Sequence, residues 1–403
     1  MKSLEDYRDI VGDEVIADIY SRTNLYDRNV LHVNSTYQGG GVAEILNSLI
    51  LLMNDIGINT EWDLLHGTPD FFNVTKLFHH GLHGEKIELT TRKKKIHYDI
   101  NKTNAAFTRI DHDCVIIHDP QPIPLIMFYH KTQPWIWRCH VDMTKPDPTV
   151  WGYLKGFASR YDHMVVSMDK YKSRDLKVPQ SIIMPSIDPL TPKNQVLSES
   201  KVKKYMARNG VDVDEKPIIS QISRFDKWKD PFGVVELYKK AKKEVDCQLV
   251  MVGNMATDDP DGQEMYDQMM KKVEDLPDVH ILLNSTDIEV NAAQRASSVI
   301  IQKSIKEGFG LSVTEGMWKQ KPVVASKVGG IPLQIQSGKS GYLVNPHDNK
   351  GFASKIVKLL KDEKLNRKMG LAAEQRVKDK FLITRHLVDY LDLMDGLVNC
   401  KNK

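Results

Sequence analysis

Residues 303–330 read KSIKEGFGLSVTEGMWKQKPVVASKVGG. A β-rich run ends at Ser304, glycines follow at Gly308 and Gly310, a helical pattern begins near Gly310, and KPVVASKV returns to β-type sequence. Glycine lets backbone approach a ligand closely. A helix starting at such a turn aims its free N–H groups and positive dipole end beyond the strand, where a diphosphate can be held. Glu315, inside the helix, is placed to accept ribose hydroxyls. Glu307, just before the turn, is placed to accept sugar hydroxyls and fix the ring without attacking it. Two surface carboxylates around a plain turn would be the bland alternative, and the VVASKVGG that follows favours ligand binding.

Working outward, the same alternation runs along the chain. PIISQISRF, PFGVVELYKKAKK, CQLVMVGN, VHILLN, EVNAAQRAS, SVIIQKS and GYLVN build one α/β domain around the opening stretch. NVLHVNST, VAEILNSLILLM, CVIIHD, PIPLIMFYH, WIWRCH and HMVVSM build another before it. Strand–helix–strand repetition predicts mostly parallel sheets, hence an α/β protein of two Rossmann-like, doubly wound domains facing a central cleft. The expected domains are residues 1–190, with a short helix over 4–20 ahead of the first strand, and residues 191–380. PSIDPLTPKN suggests an exposed linker over 186–198. The closing segment 381–403 contains ITRHLVDYLDLMDGLV, whose apolar stripe needs a surface to cover it, the first domain being one candidate.

Ligands bind beyond the carboxyl ends of strands in such sheets, so polar residues there carry the functional reading. In SRFDKWKD, Arg224 and Lys229 follow a strand and form a cationic clamp for a departing diphosphate, although an Arg and a Lys in a loop are often only solvated charges. VNSTYQGGGVAEILNSL runs from strand through Gly39, Gly40 and Gly41 into a helix, with Gln38 and Gly40 as ligand neighbours; a tight turn needing positive φ explains it equally well. HDPQP supplies His118, Asp119 and Gln121, and WIWRCHVD supplies Trp137, Arg138, His140 and Asp142, together a candidate sugar-acceptor pocket. His140 and Asp142 could instead satisfy each other or nearby backbone, and Trp135 and Trp137 could be core. His79, His80 and His83 lack a carboxylate or Cys at metal-ligand spacing, and no metal site is expected.

Composition narrows the classes. The 403 residues are 41% hydrophobic and 27% charged, ordinary globular usage. A net charge of +3, from 56 Lys and Arg against 53 Asp and Glu, gives no reason to expect nucleic acid. Four scattered cysteines read as reduced, mostly buried thiols. The first residues carry no signal-type apolar core, and no stretch reaches the roughly 18 apolar residues that span a bilayer, so a cytoplasmic protein without membrane contact is expected.

The motifs EGFGLSVTE, SRFDKWK and VNSTYQGGG resemble those of the retaining glycosyltransferases of family four, which have the two-domain GT-B fold. Within that family, GGGVAEIL, FFNVTK, HDPQP, WRCH, MPSIDPL, VGNMATDDPDG and NAAQRAS are most similar to trehalose synthases of the glycosyltransferring type. The resemblance implies reversible transfer of glucose from a nucleoside-diphosphate glucose (ADP-, UDP- or GDP-glucose) to free glucose. It implies retention by same-face attack, with a donor phosphate oxygen taking the acceptor proton. No tightly bound metal is implied, although Mg2+ stimulation is compatible with it. Catalytic roles would fall to Glu307, Arg224, Lys229 and, near the sugar's hydroxymethyl group, His140. Gly40, Gly41, Gly308, Phe309, Gly310, Leu311 and Glu315 would bind the donor, with Asn284 toward the base. Gln38, Asp119, Gln121, Arg138 and Asp142 would bind the acceptor. Two positions depart from the family pattern: Asp230 stands where a Gly commonly follows the diphosphate Lys, and Gly316 where Ala commonly follows the second Glu. A trehalose phosphorylase would share much of this constellation, and a family-four enzyme with another acceptor remains compatible. A nucleotide-sugar epimerase would not need the acceptor pocket, and a non-catalytic sugar-binding protein would not need the full charged set. The nucleobase, the physiological direction and the oligomeric state, a homodimer included, stay open.

Overall fold

The computed structural model describes residues 2–37, 40–253 and 260–400. The chain divides into two compact units, one formed by residues 1–185 with 383–403 and the other by residues 186–382.

The first unit holds strands β1 (Asn29–Asn34), β2 (Asn59–Leu64), β3 (Cys114–His118), β4 (Trp135–Arg138), β5 (His163–Val166) and β6 (Gln180–Ile182). Their order is β2-β1-β3-β4-β5-β6, and every pairing is parallel. All residues of β3, β4 and β5 are buried, the mark of strands covered on both faces, which explains why they read as continuous apolar runs. The helix Ile383–Cys400 packs against the helix Gly41–Asp55 of this unit and buries Ile383, Leu387, Tyr390, Leu391 and Met394. Its apolar stripe is thereby removed from water.

The second unit holds β7 (Ile218–Ile222), β8 (Gln248–Gly253), β9 (Val279–Leu283), β10 (Val299–Gln302), β11 (Val323–Ser326) and β12 (Gly341–Val344). They lie in the order β12-β11-β10-β7-β8-β9, again all parallel. Ile219, Leu249, Met251, Val299, Ile301 and Val324 pack with Phe352 and Ile356 of the helix Asn349–Lys361 into one core. Strand order reverses between β1 and β3 in one unit and between β7 and β10 in the other, where open α/β sheets form ligand crevices.

Three local expectations are corrected. Residues 4–20 are not one helix: a 3-10 turn (Leu4–Tyr7) and two short helices (Arg8–Val11, Asp13–Tyr20) are divided by Gly12 at φ +86°. PIPLIMFYH forms only a 3-10 helix, Ile123–Phe128. The stretch 186–198 is not an exposed linker. Ser186, Ile187, Asp188 and Asn194 are buried, and the carbonyls of Pro192, Asn194 and Gln195 accept hydrogen bonds from Asn291, Trp318 and Arg295. Asp188 turns this packed segment, its Oδ1 accepting from the Leu190 amide at 2.8 Å and its carbonyl from Asn194 Nδ2 at 3.0 Å.

Candidate active site

In the second unit, the loops after β7 and β10 are joined by backbone. Asp226 caps the turn Lys227–Lys229, its Oδ1 accepting from the amides of Trp228 (2.8 Å) and Lys229 (3.2 Å). The Ile305 amide donates to the Trp228 carbonyl at 2.7 Å. This stitch brings Lys229 Nζ within 2.5 Å of Glu307 Oε2. Glu307 Oε2 also accepts from Ser304 Oγ (3.1 Å) and Gln302 Nε2 (3.3 Å). Burial alone would raise the Glu307 pKa, but the Lys229 ammonium, the Ser304 hydroxyl and the Gly308 amide outweigh it and hold the group below the ordinary carboxylate range. The result is a preformed carboxylate–ammonium pair at the switch point. Arg224, in the same loop, leaves 67% of its side chain exposed, with Nη2 3.8 Å from Asp226. It reaches outward and is not part of the buried pair.

Glycines shape the turn behind Glu307. Gly310 has φ +82° and caps the helix Leu311–Trp318, and a Cβ on it would stand 3.2 Å from Glu307 Cγ. A Cβ on Gly329 would fall 1.8 Å from the Glu307 carbonyl oxygen, and the Gly330 amide donates to the Gly308 carbonyl at 2.9 Å. The VGG segment is thus the backing of the EGFG turn. The Phe309 side chain is buried against Phe381, so only its backbone faces the turn; Leu311 opens the helix. Glu315 is 2% exposed; Gln294 Nε2 donates to its Oε2 at 2.9 Å and Lys193 Nζ lies 3.4 Å from its Oε1. Burial raises its pKa, but Lys193 and Lys319 draw it below the usual range. Asn284, exposed at φ +50°, follows the edge strand β9, with β8 between it and β7. It is not brought beside Lys229 and Glu307.

Both departures from the family pattern have physical explanations. Asp230 adopts φ +46°, the left-handed region where glycine is at ease, and as N-cap it accepts from the Gly233 amide at 3.1 Å. Its other oxygen pairs with the buried Lys303 ammonium, which also donates to the Pro346 carbonyl at 3.1 Å. A Cβ on Gly316 would meet Ile300 Cδ1 at 2.6 Å, so glycine there makes room for the β10 side chain.

In the first unit, Gly40 has φ +117° at the N-cap of the helix that Gly41 opens, and a Cβ there would meet nothing within 4 Å. Conformation, not crowding, calls for glycine. Gln38 lies outside the described residues. Asp119, at φ +65°, links two strand ends: its Oδ1 accepts from the His140 amide at 2.8 Å and its carbonyl from Trp137 Nε1 at 3.0 Å. Burial raises its pKa to about 6. Gln121 Nε2 lies 3.0 Å from His79 Nε2. Asp142 Oδ1 accepts from the Thr144 amide (2.8 Å) and hydroxyl (2.6 Å), a local turn. Arg138 is fully buried and its Nη2 donates to the Ile183 carbonyl at 2.8 Å and Ser167 Oγ at 3.2 Å. Its guanidinium is held inside the unit. Partly exposed His140 is joined through Nε2 to His118 Nδ1 at 3.1 Å, and His118 Nε2 to His32 Nδ1 at 3.0 Å. Burial lowers all three pKa values, that of His32 to about 3. Trp135 and Trp137 are core.

Sequence reading missed Gln302, Ser304, Lys193 and Gln294 as partners of the two glutamates. Ser304 was visible only as a strand end and Gln302 only as the last residue of that strand, whereas Gln294 and Lys193 reach Glu315 across 21 and 122 positions (315 − 193 = 122) and carry no local signal. Among the described residues no group of three or more His, Cys, Asp or Glu is placed to hold a metal ion, and no helix is long and apolar enough to cross a membrane.

Residues 32–173 match the family model for the trehalose synthase N-terminal domain, and residues 203–376 that for glycosyl transferases group 1. A trehalose synthase of Thermococcus litoralis is 48% identical over 98% of this chain and 97% of its own length. Among solved structures, a sucrose-phosphate synthase from Thermosynechococcus elongatus superposes with a TM-score of 0.73 at 16% identity, covering 93% of this chain and all of the other. An Anabaena protein in complex with UDP and glucose gives 0.68 at 16% identity, over 92% of this chain and all of the other. The two structural matches establish the GT-B fold.

Proposed function

We propose, from the premise that the chain belongs to the trehalose synthase family of group 1 glycosyltransferases, that it makes trehalose from a nucleoside-diphosphate glucose and free glucose, reversibly and with retention. The observation that carries the reading is the Lys229–Glu307 pair at 2.5 Å, set against a glycine turn that opens a helix. Lys229 neutralises charge on the departing diphosphate, with the exposed Arg224 of the same loop as a second cation at its outer side, and the amides of the Gly308–Gly310 turn and helix start add dipole stabilisation. Glu307, kept ionised, accepts from donor-sugar hydroxyls and orients the anomeric carbon. Glu315 takes the ribose hydroxyls on lone pairs left beside Gln294 and Lys193, since a carboxylate offers about four. Asn284 approaches the base.

On the first unit, Gly40 and Gly41 approach the donor, His140 its hydroxymethyl group, and Gln38, Asp119, Gln121, Arg138 and Asp142 form the acceptor side. Arg138 acts there through its field on Asp119, whose carboxylate it favours. No carboxylate nucleophile is assigned: a donor phosphate oxygen takes the acceptor hydroxyl proton as the glycosidic C–O bond to phosphate breaks and the new one forms on the same face. The test is product analysis with ADP-, UDP- or GDP-glucose plus glucose, with and without inorganic phosphate. Trehalose and free nucleoside diphosphate are expected without phosphate. Trehalose turnover only with phosphate would make the enzyme a phosphorylase, and transfer to another acceptor would discard the named reaction while keeping the donor site.

A further inference from the structure

The imidazoles of His32, His118 and His140 form a chain that crosses three neighbouring strands of the first unit, from β1 through β3 to the residue pair after β4. The ring centroids of His32 and His118 lie 5.2 Å apart and those of His118 and His140 5.4 Å apart, with ring planes within 20° of parallel in each pair. Two N···N contacts of about 3 Å require one proton each. A neutral imidazole has one N–H and one lone pair, so the chain has only two polarities. If His32 Nδ1–H donates to His118 Nε2, then His118 Nδ1–H donates to His140 Nε2, and His140 must carry its own proton on Nδ1. The reverse polarity places a proton on His32 Nε2.

That atom decides between them. His32 is fully buried and its Nε2 meets no hydrogen-bond partner among the described groups. An orphaned buried N–H is rarer and costlier than an under-used acceptor. Burial first, and then the charge of Arg138, disfavours an extra proton on His118 and His140 and keeps these rings neutral.

We propose that His32 and His118 are positioning residues that lock His140 as its Nδ1–H tautomer, so that it presents a hydrogen-bond donor to an oxygen of the bound sugar. The tautomer follows from the chain alone; its use on the donor's hydroxymethyl oxygen rests on the proposed function above. In a free histidine side chain the Nε2–H form prevails, so the lock reverses the default.

The whole protein labelled with 15N-histidine, without ligand, gives two-bond 1H–15N spectra that read each tautomer directly, with the three rings assigned from single histidine variants. Protonated Nδ1 and bare Nε2 on His140, His118 and His32 are expected; Nε2–H on His140, or an imidazolium, overturns the proposal. In His118→Phe the His140 ring should revert to Nε2–H. If that variant does not fold, the wild-type spectrum decides by itself. For the role at the sugar, kcat/KM of His118→Phe should fall roughly five- to tenfold with the normal donor, the value of one hydrogen bond, and stay level with wild type when the donor lacks its 6-hydroxyl. An equal fall with both donors overturns that role. Absence of turnover by wild type with any nucleoside-diphosphate glucose would instead defeat the proposed function, leaving the spectrum to judge the tautomer.

Discussion

The two units share a parallel six-stranded topology with a reversal of strand order, yet they furnish their switch points in opposite ways. At β7 and β10 the loops are paired ions: Lys229 with Glu307, Lys303 with Asp230, and nearby Lys193 with Glu315. At β1, β3 and β4 stand neutral imidazoles in series beside the buried Arg138, and a carboxyl, Asp119, whose pKa burial lifts to about 6. A diphosphate brings charge that must be met by charge already in place. A sugar brings hydroxyls, which are met by donors and acceptors of fixed polarity. Under the proposed function, the same scaffold serves a charged ligand or a neutral one according to the residues that end its strands.

Breaking the ionic side should have the largest effect. Lys229→Ala or Glu307→Ala is expected to lower kcat by about a hundred- to a thousandfold, the range for loss of one preorganised electrostatic group, with the circular dichroism of the wild type. Unchanged turnover in both would remove the pair from the site. The Lys229→Met/Glu307→Gln double variant should be more stable to urea than either single change, because neither partner is left as an uncompensated charge.

Next in size is the capping ion. Asp230→Gly preserves the left-handed backbone but strands Lys303, whereas Asp230→Ala strands Lys303 and strains the backbone as well. Thermal melting should rank wild type above Asp230→Gly above Asp230→Ala. The loss to glycine should approach the roughly 3–5 kcal/mol for removing one member of a buried pair. Equal melting of wild type and Asp230→Gly would show that the carboxylate contributes nothing beyond conformation.

The smallest effect should come from the neutral side. The folded pKa of Asp119, about 6, exceeds its ordinary value of 3.8. The folded protein therefore binds the extra proton between these values, and the associated stability is present below pH ~4 and lost as pH rises through about 6. Asp119→Asn, which tolerates the positive φ, should flatten that decline when urea midpoints are compared from pH 4 to 7. An unaltered slope would mean that Asp119 is ionised throughout.

The contrast also marks what the sequence could disclose. Strand–helix alternation was visible because β3, β4, β5 and β8 are buried throughout and are dominated by apolar residues. The sheet edges β2 and β6 were invisible, since NTEWDL and QSI are half-exposed and carry mixed polarity. Glu307, Lys229 and Gly310 announced themselves through glycine-rich turns next to strands. Gln221, which joins Lys303 to the Lys229 loop through its side-chain amide, sits inside β7 and looks like any polar residue in a strand. His32 was likewise hidden in NVLHVN. Its meaning depends on a ring 86 positions away, a relation that no local pattern records.

The return of residues 383–400 to the first unit sets an order on the molecule's assembly. As the chain emerges during synthesis, all six strands of the first sheet are present by residue 182, but the helix that covers Gly41–Asp55 arrives only after the entire second unit, residues 186–382, has been made. The second unit is continuous and can close as soon as it is complete. The first must wait with an apolar flank open to water, a window in which nascent chains are vulnerable to aggregation.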